Sequence, residues 1–169
     1  PPAAGKSVFA SDESVPPITL TLLPGAEFHR LWGGDEAPTF PGSGAMPDQP
    51  MYFPAVGGFR FGLFSVPPDS QSGMGADFDI EAAVGEVEAK LPGMAAYLEP
   101  DAPGMHTTDT IDFEFVVSGR VVLELDDGAT VTLGPGDTVV QNGTRHAWRN
   151  PFDVPCVMVV ALVGAHRAS

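Results

Sequence analysis

A regular alternation of short strand-like runs and turns fills residues 105–163 and constrains the fold more than any other feature. Turn residues stand at 118–119, 126–128, 134–137 and 142–144, so each run between them is only a few residues long. Short strands with turns at this spacing are typical of an antiparallel sandwich or barrel. The pattern therefore predicts an all-β fold for this part of the chain.

The residues before this stretch are less regular. Residues 1–17 read as an irregular arm, and residues 33–56 are rich in proline and glycine, which indicates an exposed excursion. Alternating side chains predict three strands, the first two joined by a turn at Pro24 and Gly25. The predicted strands cover residues 18–23, 27–32 and 58–66.

One segment of this half has helical periodicity. Apolar residues recur there at helical spacing opposite a row of glutamates. Asp79 is suited to cap the start, and Pro92 with Gly93 would end the helix. We expect a short amphipathic helix over 79–91 that packs on the flank of the barrel, with a partner-binding helix as the alternative. Its predicted apolar face consists of Ile80, Val84, Val87 and Leu91.

Length and charge exclude several classes of protein. The 169 residues suit one domain with a sizeable core. Eight lysines and arginines spread along a chain of net charge −14 do not form the basic patch that nucleic acid or anionic lipid needs. The single cysteine, Cys156, forms no internal disulfide and favours a reducing, cytoplasmic location. No signal peptide is visible. The chain begins without methionine, so a leader that has been removed stays an open alternative.

The run from His106 to Gly119, "HTTDTIDFEFVVSG", places unusual residues on one face of a strand. Residues of equal parity share a face. The odd face is strongly apolar, whereas the even face carries Thr108, Thr110, Asp112 and Glu114 after the histidine. Either the even face meets solvent while the odd face packs on a core, or the even face lines a cavity.

This run resembles the first motif of the cupins. That motif has two histidines one residue apart, a glutamate three or four residues later, and a glycine after six more. Here His106, Thr108, Asp112 and Gly119 stand at those positions. Two departures are clear: Thr108 replaces the second histidine, and Asp112 replaces the glutamate.

The second cupin motif is similar to the stretch that follows. Gly136 and Asp137 lie in its "LGPGD" turn, and Gly143, His146 and Asn150 follow in order within "GTRHAWRN". The loop before the glycine is one residue shorter than the common form, with asparagine where proline is usual. Together the motifs cover about residues 104–163 and identify the chain as a cupin of the small, type 2-like kind. The resemblance implies a jelly-roll barrel with extra N-terminal strands and one short helix.

The resemblance implies a metal site at His106, Asp112 and His146. Two imidazoles and one carboxylate suit iron(II), and also zinc, manganese or nickel, with open positions for water and substrate. Thr108 would then hold a water instead of supplying a ligand nitrogen. The alternative is a metal-free barrel in which His146 and Asp112 form a buried hydrogen-bonded pair.

Glu114 is expected on the same face as Asp112, deeper along the strand. Burial raises the pKa of an unpaired carboxyl, and such a group can act as a general acid or base. We therefore predict Glu114, Asp112 and His146 as catalytic residues. The alternative is a salt bridge from Glu114 to Arg60 or Arg149. The predicted substrate pocket comprises Thr108, Gln141, Trp148, Met158 and Arg60.

These features predict a metal-dependent enzyme that acts on a small organic acid, phenol or polyketide-like carbonyl compound. Oxygenation by a dioxygenase-like reaction, decarboxylation, and isomerisation or dehydration all suit the predicted site, and a non-catalytic or metal-free ligand-binding cupin is the alternative. We expect residues 1–103 to pack as an extension on a barrel core at 104–169, together forming one domain. Cupin barrels often pair through an N-terminal strand, so we also predict a homodimer through residues 1–32.

Overall fold

The computed structural model describes residues 6–71 and 78–168. Within these residues the chain forms nine β-strands and one α-helix, and no described helix has the length and apolar character needed to cross a membrane. The elements follow in this order: β1 (Ile18–Leu20), β2 (Leu23–Gly34), β3 (Phe59–Val66), α1 (Ile80–Lys90), β4 (Thr110–Ser118), β5 (Val121–Glu124), β6 (Thr130–Leu133), β7 (Thr138–Asn142), β8 (Ala147–Arg149) and β9 (Cys156–Gly164).

Two antiparallel sheets make up the fold. One sheet has the strand order β1-β2-β3-β9-β4-β7, and the other has the order β6-β5-β8. Apolar side chains from both sheets form one buried cluster between them, and their burial stabilises the packing of the sheets. The predicted all-β cupin barrel with extra N-terminal strands and one short helix is confirmed. The buried members of the cluster are Val66, Val116, Val121, Leu123, Leu133, Cys156 and Met158.

The N-terminal strands differ from the prediction at their turn. The chain turns at residues 21–22 instead of at Pro24 and Gly25, so that β2 begins at Leu23 and continues to Gly34. Gly25 lies inside β2 with a φ of 79°, a conformation that suits glycine within a strand. The predicted strand at 58–66 is confirmed as β3.

Helix α1 forms where it was predicted, but it buries a different face. The Asp79 carboxylate accepts a hydrogen bond from the Ala82 amide at 3.0 Å and caps the helix. Val87 and Leu91 are fully buried against the N-terminal strands, as expected. Ile80 and Val84, however, are 56% and 38% exposed, because Ala83 turns inward in their place.

Strand β4 has its polar face inside the barrel and its apolar face outside. Thr110, Asp112 and Glu114 are buried, with at most 8% of each side chain exposed. Phe113 and Phe115, on the other face, are 48% and 44% exposed. The second reading of the sequence, in which the even face lines a cavity, is therefore confirmed.

Arg60 fixes the excursion over the barrel. Its guanidinium pairs with the Asp35 carboxylate at 2.7 Å and donates to the Met51 carbonyl at 3.0 Å and the Tyr52 carbonyl at 3.2 Å. The Arg60 side chain is only 7% exposed. The excursion at residues 33–56 is thus tied to β3 near residues 51–53.

Replacing Arg60 with methionine is expected to lower the free energy of unfolding by about 2 to 3 kcal/mol, because Asp35 and several backbone carbonyls lose their donor. Urea denaturation measures the change. Arg145→Met is the matched control: Arg145 pairs with Glu99 and Asp126, but its side chain is 33% exposed. Its loss should matter far less. Equal destabilisation of both variants would contradict the assignment.

Candidate functional site

One large cavity opens inside the barrel. It has a volume of about 490 Å³, which suits a small organic molecule. Its polar end is lined by His106, Thr108, Asp112, Glu114 and His146. The other walls are apolar and come from the N-terminal strands, the excursion and the segment that follows α1.

His106 and His146, here called the histidine pair, meet through their own backbones. Each backbone amide donates to the other residue's carbonyl at 3.0 Å, which is an antiparallel bridge between the two motifs. This pairing sets the two imidazole rings side by side, with 4.2 Å between their centres. The two cupin motifs, 40 positions apart in the chain, therefore converge as the resemblance implied.

Hydrogen bonds fix the tautomer of both rings. His106 Nδ1 lies 3.0 Å from the Gly104 carbonyl, and His146 Nδ1 lies 2.9 Å from the Thr144 carbonyl. Because a carbonyl oxygen only accepts, each Nδ1 carries the proton and each neutral ring keeps a lone pair on Nε2. Burial lowers the pKa of His106, and burial together with the charge of His106 lowers that of His146 to about 4. Both rings are therefore neutral at pH 7.

Asp112 and Glu114 are placed in the cavity without full hydrogen bonding. Across the sheet, Glu114 is opposite Val139 and Val160, neither of which offers a donor. Among the described residues, Asp112 Oδ1 and Glu114 Oε2 are buried and have no hydrogen-bond partner. Buried carboxyl oxygens that lack a partner are costly, and a bound molecule can supply the missing donor or acceptor.

The environment separates the pKa values of the two carboxyls. Burial raises the pKa of Asp112 to about 6, although a hydrogen bond from the Thr110 side chain opposes the shift. Deeper burial and the neighbouring charge of Asp112 raise the pKa of Glu114 to about 8. At pH 7, Asp112 is mainly a carboxylate, whereas Glu114 is mainly a neutral acid.

Glu114 forms no salt bridge with Arg60 or Arg149, the alternative that the sequence allowed. Arg60 pairs with Asp35, and Arg149 pairs with Glu124 at 2.7 Å. The metal-free alternative, a hydrogen bond between His146 and Asp112, is likewise absent among the described residues: His146 Nδ1 donates to the Thr144 carbonyl, and Asp112 Oδ1 has no partner.

Three predicted pocket residues lie outside the cavity lining, which corrects those assignments. Arg60 faces the excursion, as described above. The Gln141 side-chain amide donates to the Thr144 hydroxyl and is used in that turn. Met158 is fully buried in the core between the sheets. Thr108 and Trp148 do line the cavity.

The three predicted metal ligands do not form a metal-binding group as placed. The donor types are suitable, because the histidine pair has two free Nε2 atoms and Asp112 has an oxygen without a partner. However, no three His, Cys, Asp or Glu side chains in the described part of the chain converge closely enough to hold an ion. The arrangement therefore does not fit a centre with three protein ligands.

An aromatic wall lines the same cavity, and it was not predicted from the sequence. The rings form a chain of contacts in which Phe53 is 4.9 Å from Tyr52 and 4.7 Å from Tyr97, centre to centre. Phe28 continues the chain, 6.0 Å from Tyr52 and 4.9 Å from Phe64. The sequence signal was present as "MYFP" inside the excursion, but proline and glycine around it indicated only an exposed loop.

Comparison with known proteins gives short but clear matches. Residues 95–162 match the Cupin_2 family model, a cupin domain. The chain is 45% identical over 49 residues to oryzines biosynthesis cluster protein J of Aspergillus oryzae, and 48% identical over 46 residues to phomopsin biosynthesis cluster protein C' of Diaporthe leptostromiformis. These matches cover 29% and 27% of this chain. They span only about a quarter of each relative, 27% and 24% of its length.

The solved structures that match this chain share little sequence with it. A Cupin 2 conserved barrel domain protein from Salinispora arenicola matches with a TM-score of 0.46 and 19% identity over 92% of both chains. A predicted oxalate decarboxylase from Thermotoga maritima matches with a TM-score of 0.47 and 11% identity, over 89% of this chain and 93% of that one. At such identities the likeness does not extend to the reaction. The family match, on the motifs that carry His106 and His146, identifies residues 95–162 as a cupin domain.

Proposed function

We propose that this cupin is an enzyme that moves a proton on a small carbonyl compound, as in isomerisation or dehydration. The observation that carries the proposal is the pair of buried carboxyls, Asp112 and Glu114, whose unpartnered oxygens lie in a cavity of about 490 Å³. Paired carboxyls with separated pKa values are a recurrent acid–base arrangement. The relatives named after biosynthesis clusters support a role in small-molecule biosynthesis.

Each residue at the polar end has a distinct role in this proposal. Glu114, a neutral acid, donates its proton to the carbonyl oxygen of the substrate, while the Asp112 carboxylate takes a proton from the adjacent carbon. The product of that step is an enol, formed by breaking one C–H bond and making one O–H bond. His146 and His106 accept hydrogen bonds from a substrate hydroxyl through their Nε2 lone pairs. Thr108 and Trp148 contribute to the walls.

The test is exchange of carbonyl-adjacent protons with deuterated water, followed by proton NMR on a panel of small aryl ketones and β-hydroxy ketones. We expect exchange above the buffer rate for at least one compound, with protein treated with EDTA and with protein supplied with metal. No exchange under either condition would contradict the enzyme proposal and leave the non-catalytic ligand-binding cupin.

A metal-dependent reaction is the second candidate. It is favoured by one observation, the orientation of the histidine pair, in which backbone carbonyls hold both Nδ1 atoms and leave both Nε2 atoms free. Elemental analysis of untagged protein beside a His146→Ala variant distinguishes the candidates. Metal near one equivalent that is lost in the variant would favour this candidate, with iron indicating oxygenation and zinc, manganese or nickel indicating lyase or isomerase chemistry. Exchange that needs no metal would favour the first.

We also propose that two copies pair through residues 1–32. The described part of this arm, residues 6–17, is exposed, and β1 forms an edge of the larger sheet with β2 as its one partner strand among the described residues. A strand from a second copy would cover that edge. Light scattering should give twice the chain mass of 17.6 kDa. A monomer at micromolar concentration would overturn the pairing.

A further inference from the structure

The aromatic wall gives the cavity an affinity for flat, apolar groups. Phe28, Tyr52, Phe53, Phe64 and Tyr97 all line it. Their ring centres lie 4.7 to 6.0 Å apart along the chain of contacts, in edge-to-face or stacked pairs. An aromatic ring of a ligand can contact these side chains in the same two ways. A ligand that reaches from this wall to the polar end would carry an aromatic ring on one side of its reacting group.

The cavity has no free positive charge in the described part of its lining. Arg149 supplies its guanidinium, but Nε is bound to Glu124 at 2.7 Å and one terminal nitrogen donates to the Pro103 carbonyl at 2.8 Å. Arg149 is also 36% exposed and therefore near the mouth. The carboxyl groups in the lining are Asp69, Asp112 and Glu114.

An anion would therefore meet an unfavourable environment at the polar end. It would lose its hydration, and it would approach the carboxyls without a cation to pair with. The neutral imidazoles of the histidine pair add acceptors at Nε2, which an anion cannot use. A neutral carbonyl, in contrast, can accept a hydrogen bond from Glu114, and a neutral hydroxyl can also donate one to a histidine.

We infer that the site selects an uncharged compound that carries an aromatic ring, and that it rejects carboxylates. The inference rests on the proposed function for the position of the reacting group, next to Asp112 and Glu114. It removes organic acids from the substrate classes that the sequence allowed. It keeps phenols and aromatic carbonyl compounds.

The experiment compares binding of phenylacetamide and phenylacetate, which have nearly the same shape and differ in charge. Saturation-transfer NMR with competition, at neutral pH on the full chain, gives both affinities. We expect the amide to bind at least about tenfold more tightly. Equal or tighter binding of the carboxylate would overturn the inference, as would the failure of both probes to bind.

Two further measurements test why the amide is preferred. Asp112→Asn removes the nearest negative charge while keeping the side-chain volume, so the preference for the amide should fall to near onefold; an unchanged preference would contradict the role of the carboxyls. Near-UV circular dichroism checks that the variant is folded. Phenethylamine tests a cation: if it binds more tightly than the amide, the selected class is not uncharged. These experiments measure affinity, so they can be interpreted even if no proton exchange is found. A failure of the inference can therefore be distinguished from a failure of the enzyme proposal.

Discussion

Replacement of Glu114 by glutamine is expected to slow enzyme-dependent proton exchange by about a hundredfold or more, the usual contribution of a general acid. Glutamine keeps the volume of the side chain in the cavity and can still donate a hydrogen bond. It cannot transfer a proton to the substrate oxygen. Affinity for a neutral aromatic ligand should change little, so the loss should be in kcat and not in KM.

Glu36→Gln is the matched control for that measurement. Glu36 lies in the excursion, is exposed and does not line the cavity, so the substitution removes a carboxylate outside the site. Its exchange rate should equal that of the unaltered protein. If Glu114→Gln keeps full exchange activity, Glu114 is not the acid, and Asp112 or a metal-bound group must be considered in its place.

The second large effect is expected in the dependence of stability on pH. The pKa of Glu114 rises from 4.5 in the unfolded chain to about 8 in the folded protein. The folded state therefore holds a proton that the unfolded state has released, and the stability present below pH 4.5 is lost as pH rises to 8. The unfolding free energy falls by at most about 1.4 kcal/mol for each pH unit, the limit for one proton.

The clearest window lies between pH 6.5 and pH 8. Below it the lowered pKa of His146, about 4 against 6.5 unfolded, acts in the opposite sense, and Asp112 titrates near 6. Within it we expect the unaltered protein to lose about 1.5 kcal/mol of unfolding free energy, measured by urea denaturation after EDTA treatment. The Glu114→Gln variant should lose far less. Parallel curves for that variant and for the Glu36→Gln control would show that Glu114 is not a buried acid.

The sequence predicted the barrel well because its evidence is local. Turns such as those at Gly119 and Gly143 are decided by a few neighbouring residues, and both glycines adopt positive φ, at 74° and 60°. Parity along β4 likewise placed Asp112 and Glu114 on one face without any long-range information. Which face was buried stayed open, because alternation alone does not say on which side the second sheet lies.

The parts that could not be predicted depend on contacts between distant residues. Tyr52 and Phe53 line the cavity because Arg60 holds the backbone of residues 51–53 against β3. Nothing in the local sequence indicates that Arg60 pairs with Asp35, 25 positions earlier, and not with Glu114. The aromatic wall and the correction at Arg60 are thus two consequences of one tertiary contact.

The inverted polarity of β4 also bears on how the chain folds. A slip of one residue against β9 would turn Phe113 and Phe115 inward and expel Asp112 and Glu114. Hydrophobic burial favours that slipped register, so the native register is locally frustrated. Strands β9 and β7, which pair with β4 on either side, must hold it in place. Substitutions that weaken those pairings should therefore populate a misregistered barrel with no acidic cavity. Such a barrel would have nearly the native free energy of unfolding, so stability measurements alone would not detect it.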